Sequence, residues 1–457
     1  MDKNNMEVKM RKLLVMMLSL GFLAATARAG EIVGDTLLFN RLKEKGVLTD
    51  DDVNELKSAT PRVELGGRFQ VQYKNVFGDQ SVANSPVTDQ FFIRRARIEL
   101  KAQLTPLAFV KIEPEFGQVA QKTVPSAQTC TTTLTNAGTA AETAATACTN
   151  TASVNTVYLE DAYIGITPSG LGEFDIGNHY VPFSLEALTS DKKIAFVERS
   201  LTSQLAPFRQ LGVSWQHQVF DKTVSYQLGI WNGYVQPGSF SKVSSTIDKN
   251  GANQFYTINL GSNDNQQYMY AARVEWQPLG YMGAGTNPAQ ENFEHFDKRL
   301  GIGVSWYSSA DAPSQGGGAK ADTERGSNGI DVDLQYKGGP IWAAAEYAQR
   351  NINYWDNAKA EQTAKQTSYT VQASWMFVED TASLALRYEN LAFDGNKLME
   401  GSVGEDADAW TTIGLNWYLL KSNIRLQANY VMKGETMPGN AAAPKNDAFL
   451  AMATYHF

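Results

Sequence analysis

The chain has 457 residues and a formal net charge of −8, with 19% of its residues charged. Its 43% hydrophobic and 11% aromatic content excludes wholesale disorder. Past the first thirty residues no apolar run reaches the length of a membrane-spanning helix, which excludes a helical membrane protein. A large all-β chain remains, soluble or membrane-embedded.

The N-terminus separates these two. Lys9, Arg11 and Lys12 form a positive n-region, and Leu13 to Ala25 is an apolar core. Ala27-Arg28-Ala29 then fits a small-x-small cleavage site before Gly30. The core is too short to serve as a spanning anchor. Residues 1–29 therefore read as a secretory signal peptide. They hold five basic and two acidic residues, so the mature chain carries −11, which excludes a general nucleic-acid binder.

Residues 30–60 read as a periplasmic helical hairpin or a linker. Leu37, Leu38 and Leu42 mark one helical face, and Gly46 breaks it. Thr49 then caps a second short helix, with Asp50, Asp51 and Asp52 where the helix dipole favours negative charge.

From Pro61 the period becomes two. Val63, Leu65, Phe69, Val71 and Tyr73 share one face, and Glu64, Arg68, Gln70, Gln72 and Lys74 share the other. That alternation means a strand with one apolar and one wet face. Sixteen such segments begin near Arg62, Gln90, Leu107, Thr156, Gly172, Gln210, Lys222, Gln267, Lys298, Gly329, Pro340, Thr367, Asp380, Ala409, Ser422 and Asp447. Short connections alternate with long polar ones. An even strand number with that alternation predicts a transmembrane antiparallel β-barrel over residues 61–457. The connection Gln277 to Asp297 is too long for a short periplasmic turn, and nothing in the sequence accounts for it.

The apolar face must meet lipid, because no second apolar layer exists to cover it. Tyr73, Tyr180, Trp231, Trp276, Tyr307, Tyr388, Trp417 and Tyr418 lie near strand ends, where aromatic residues favour the membrane–water boundary. The last strand stops on Phe457, with Tyr455 on the same face, and resembles the C-terminal signal read by bacterial barrel-assembly machinery. Cys130 and Cys148 lie in one Thr/Ala-rich stretch of an exported chain. A local disulfide is expected there, worth about 3 kcal/mol by loop-closure entropy.

Four motifs carry a family resemblance. Gln90 to Arg97 (QFFIRRAR), Asp161-Ala162-Tyr163, Gly177 to Phe183 (GNHYVPF) and Ser184 to Leu201 (SLEALTSDKKIAFVERSL) resemble segments of the phosphate-selective porin O/P family. The resemblance implies a sixteen-stranded, trimeric, water-filled channel whose third loop folds inward to narrow the pore.

An anion-selective constriction needs Lys and Arg to replace the water around the ion. Arg95, Arg97 and Lys101 fall on a wet face, as do Arg68 and Lys111, whereas Arg94 falls on the opposite face. The region of the third loop adds Lys192, Lys193, Arg199 and Arg209, and Arg273, Arg387 and Arg425 are further wet-face candidates. Glu99, Glu113, Glu115, Glu275 and Glu389 also face inward, so a general non-selective porin stays open. A surface-binding or scaffold barrel with little conductance is the third reading. The four histidines have no metal spacing, and no nucleophile elbow or phosphate loop is present, so no catalytic, metal or cofactor site is expected. The expected partners are small inorganic or organic anions and the lipid bilayer.

Overall fold

The computed structural model describes residues 62–78, 88–117, 128–135, 143–150, 157–233, 268–283, 289–309, 324–355, 361–394, 407–420, 422–436 and 446–457. The signal peptide and the 30–60 hairpin lie outside them.

The strands in chain order are β1 (Arg62–Val76), β2 (Thr88–Thr105), β3 (Ala108–Glu115), β4 (Gln128–Thr135), β5 (Thr143–Asn150), β6 (Tyr158–Ile166), β7 (Glu173–Tyr180), β8 (Arg209–Val219) and β9 (Val224–Trp231). Then follow β10 (Met269–Trp276), β11 (Arg299–Ser309), β12 (Glu324–Gly338), β13 (Ile341–Trp355), β14 (Glu361–Val378), β15 (Ala382–Asp394), β16 (Ala407–Leu419), β17 (Ile424–Thr436) and β18 (Ala448–His456). All but β4 and β5 form one closed antiparallel barrel of sixteen strands. β3 pairs with β6, and β1 pairs with β18 to close the ring.

Period-two alternation is what the ring requires. On β12, Ile330, Val332 and Leu334 point outward and stay exposed, while Asp331, Asp333 and Gln335 face the lumen and are buried. Closure leaves no strand edge unpaired, which the bilayer demands. The strand starts read from sequence fall within two residues of the observed ones, except for β12 and β14. Those two begin earlier, because their polar tips continue the ladder past the apolar band that marked them.

The lumen overturns two sequence readings. Tyr180, Trp231, Tyr307 and Tyr418 do not sit at the lipid boundary. They point inward, and all but Tyr180 are buried. Arg94 does not face away from the lumen. A β-bulge skips it between the pairs Gln70–Arg95 and Val71–Ile93. An extra residue turns a side chain off its alternating face, and Arg94 reaches the third loop. β4 and β5 pair as a separate two-stranded sheet, with Cys130 opposite Cys148. In the long connection after β10, residues Gln290 to Phe296 run into the lumen.

Candidate functional site: a conduit beside an inward loop

The third loop, Val181–Phe208, leaves β7 and returns to β8 after crossing the lumen. Ser184 turns it with a φ of 71° and caps the single-turn helix α1 (Leu185–Leu188). The Ser184 hydroxyl donates to Glu346 Oε1 at 2.5 Å, and the Glu186 N–H donates to Glu346 Oε2 at 3.2 Å. Further along, Val197 N–H donates to Asn429 Oδ1 at 2.6 Å, and Leu201 N–H donates to Glu389 Oε2 at 2.6 Å. Apolar side chains complete the seat. Val181, Phe183, Leu201 and Leu205 pack with Trp231, Met269 and Tyr307. This is a soluble-protein core built inside a barrel, and burial of these side chains keeps the loop down.

The loop tip is held by charge. Asp191 pairs with Arg68, with Arg95 at 2.7 Å and with Arg97 at 3.6 Å. From the other wall, Arg425 donates to the carbonyls of Ile194 at 2.7 Å and Asp191 at 3.1 Å. Arg199 donates to the carbonyls of Glu186 and Thr189, and Arg387 to that of Glu198. Outside the membrane-spanning strands, burial pushes the Glu198 carboxyl up. The Arg94 guanidinium more than offsets this and holds it at about 2.

Behind the tip, the wall is a chain of ion pairs. Arg68 meets Glu113 at 2.5 Å, and Arg97 meets Glu115 at 2.5 Å as well as Glu160. Arg209 meets Asp161 and Glu160, each at 2.5 Å, and Lys111 meets Asp161 at 2.8 Å. Glu160 belongs to a second bulge, between the pairs Glu113–Asp161 and Pro114–Leu159. The two bulges thus add Arg94 and Glu160 to the charged lumen.

A cavity of about 870 Å³ lies beside the loop tip. Its lining comes from β1–β3, β6–β10, the turns between them and the loop, and among the described residues none of β11–β18 contributes. Of the sequence candidates, Arg68, Lys101, Lys111, Lys192, Lys193, Arg209 and Arg273 line it. Arg95, Arg97, Arg199, Arg387 and Arg425 do not line it and serve the loop or the wall. Lys192 bonds Glu99 at 3.0 Å, and Arg273 bonds Asp333 at 2.6 Å. Among the described residues, no carboxylate lies within ion-pair distance of Lys101. Its ammonium sits 4.2 Å from the Phe109 ring centroid. The sequence reading missed Lys222, Tyr163 and His179 in the lining. It also missed the clamping role of Asp191, which no spacing signals. Among the described residues no cluster suits a metal ion.

The profile of the phosphate-selective porin O and P family matches residues 63–457. The chain belongs to this family. It is an outer-membrane porin, a channel rather than an enzyme. The fold resembles that of the outer membrane channel DcaP of Acinetobacter baumannii, at 13% identity and a TM-score of 0.52, covering 87% of this chain and 97% of that one. It also resembles OmpT of Vibrio cholerae in its trimer form, at 11% identity and a TM-score of 0.50, covering 87% and 100%. OmpF of Salmonella typhi, in complex with daunomycin, matches at 14% identity and a TM-score of 0.50, covering 87% and 98%. No curated protein sequence matches the chain. In this porin the inward third loop and the ion-paired wall set the width of the conduit.

Proposed function

We propose that this porin passes small hydrophilic anions in preference to cations, with phosphate among them. The observation that carries this reading is Lys101, a conduit-lining ammonium with no carboxylate partner among the described residues. Most of its acidic neighbours are tied up. Glu113 and Asp161 are held by Arg68, Arg97, Lys111 and Arg209, so their charge is already offset where an ion would pass. Eight basic and six acidic side chains line the cavity, a small excess that favours anions while leaving binding weak enough for release. The near balance is also what a general porin would show. Reversal potentials in planar bilayers under a salt gradient decide between them. A shift toward the anion equilibrium potential is expected, and a cation-directed or null potential gives the general porin. Competition of phosphate with chloride current in the same bilayer tests the finer statement.

Two further readings belong here. The porin assembles as a homotrimer, as the Vibrio cholerae protein of similar fold is described. Phe457 serves as the terminal signal for barrel assembly. Cross-linking of intact outer membranes tests the first, and outer-membrane yield of a chain lacking Phe457 tests the second.

A further inference from the structure

The connection after β10 lies on the same barrel end as the short turns, since Gln277 N–H donates to Thr223 O at 2.7 Å. Its residues Gln290 to Phe296 turn up into the lumen and meet the third loop from beneath. Gln290 is 2% exposed and bonds through every polar group it has. Its N–H donates to Lys193 O at 2.8 Å, and its Oε1 accepts from Ala195 N–H at 2.9 Å. Its Nε2 donates to Glu186 Oε2 at 2.7 Å, and its carbonyl accepts from Ser374 Oγ at 2.8 Å. One residue therefore ties the third loop and the barrel wall together: its side chain joins the tip of the loop to the start of the same loop, and its backbone carbonyl takes the bond from the wall.

The next residues fix the strut to the far wall. Tyr418 donates to Glu291, and its ring meets Phe293 edge-on with centroids 4.8 Å apart. Asn292 donates to the carbonyls of Phe296 and Gly339, each at 2.8 Å. Lys337 donates to Glu294 at 2.9 Å. All these wall partners lie on β12–β16 or the turn after β12, strands that contribute nothing to the cavity lining.

We propose that residues Gln290 to Phe296 form a second inward segment that closes the β11–β18 half of the lumen, and that Gln290 is the positioning residue holding Lys192 and Lys193 at the conduit. Permeation then runs only along the wall formed by β1–β3 and β6–β10. The proposal rests on conduction by this porin and not on its anion preference. It also accounts for the length of the connection: a short turn would leave the third loop unsupported from below.

Cysteine accessibility tests it in a background with Cys130→Ser and Cys148→Ser. Gln227→Cys sits on the conduit wall, and Asn416→Cys on the lumen face of the far half. A charged thiosulfonate should lower the current of Gln227→Cys by about twofold or more, because an added charge in a narrow path acts on every passing ion. It should leave Asn416→Cys untouched. Adding Gln290→Ala should raise open-channel noise and make the Asn416 cysteine react. Gln290→Glu keeps the acceptor for Ala195 N–H but sets a charge against Glu186, and should give intermediate noise. If the alanine variant fails to assemble, Gln290→Glu and Ser374→Ala carry the same test. Rapid block at Asn416→Cys with Gln290 intact would overturn the one-sided conduit. Unchanged noise and protection on replacing Gln290 would overturn its role as the strut.

Discussion

The Asp191 carboxylate at the tip of the third loop lies 2.7 Å from Arg95 Nε on β2. Among the described residues Arg95 otherwise donates to Gln70 Oε1 at 2.9 Å, whereas Arg68 and Arg97 each keep a glutamate of the wall. Asp191→Asn should therefore strand Arg95 most. Removing one partner of a buried pair costs about 3–5 kcal/mol. The variant should unfold at lower temperature, carry noisier current, and move its reversal potential further toward anions. Planar-bilayer recording and thermal melts in detergent measure all three, and an unchanged melt would show that Asp191 is not the clamp.

Lys101 and Arg97 separate selectivity from architecture, although they lie four residues apart on one strand. Lys101 lines the conduit without a carboxylate partner, and Arg97 is buried among Glu113, Glu115 and Glu160. Lys101→Gln should shift the reversal potential toward cations by removing an unshared charge in a low-dielectric throat, with little change in folding. Arg97→Gln should cut the yield of folded barrel, because it leaves Glu115 without a cation among the described residues and weakens the pairing of Glu113 and Glu160, which keep Arg68 and Arg209. If both variants fold equally and shift selectivity equally, the wall network is not structural.

The ring of Phe457 fixes the seam between β1 and β18. Gly67 N–H donates to Phe457 O at 3.1 Å, and a Cβ added at Gly67 would lie 2.8 Å from the Phe457 ring and 2.7 Å from Arg97 O. The second contact is with backbone and cannot move aside. Gly67→Val should destabilise the closed barrel by overpacking, in the range of about 1–3 kcal/mol. A lower temperature for loss of heat-modifiable gel mobility is the expected reading.

The strands were legible because lipid outside and polar lumen inside impose a two-residue period that no turn interrupts. Val63 to Lys74 shows it without any partner strand. The bulges at Arg94 and Glu160 were not legible, since one extra residue leaves no mark in a strand of mixed charge. The lumen core was misread for a related reason. Trp231 and Tyr307 sit near strand ends like true interfacial aromatics, and only the folded loop shows that Phe183 and Leu205 cover them. Arg68, Lys101, Lys111 and Arg273 face the lumen as alternation predicts and Arg94 departs from it, but sequence cannot show which of them meet a carboxylate from another strand. That pairing divides Lys101 from Arg97.

Cys130 and Cys148 occupy one register position across the β4–β5 hairpin. Directly opposite residues of an antiparallel pair have Cα atoms about 4.5–5.5 Å apart, which a disulfide can bridge. A bonded pair is expected in exported protein. Unreduced peptide mapping should find the two cysteine peptides linked. Cys130→Ser with Cys148→Ser should leave the barrel melt unchanged, because β4 and β5 form no ladder with the other sixteen strands. Two free thiols in the assembled protein would contradict the pairing.

The pair Arg94–Glu198 gives the third loop a hold that should survive acid. Arg94 Nε and Nη2 each donate to the Glu198 carboxylate at 3.0 Å. Burial raises the carboxyl and the facing guanidinium more than offsets it, so the group sits at about 2 instead of its usual 4.5. The sign is that of a depressed acid: its contribution is complete above the ordinary value and fades only as pH falls through the folded one. Both side chains are roughly a third exposed, so the pair is worth no more than about 1 kcal/mol and acts on the loop, not on the barrel. Open-channel noise should stay flat from about pH 7 to pH 4 and rise only below about pH 3. Glu198→Gln should show the raised noise already at neutral pH, with no further step on acidification and an unchanged barrel melt. A rise in noise near pH 4.5 in the unaltered channel, the value of an unpaired glutamate, would mean that Arg94 does not hold the loop.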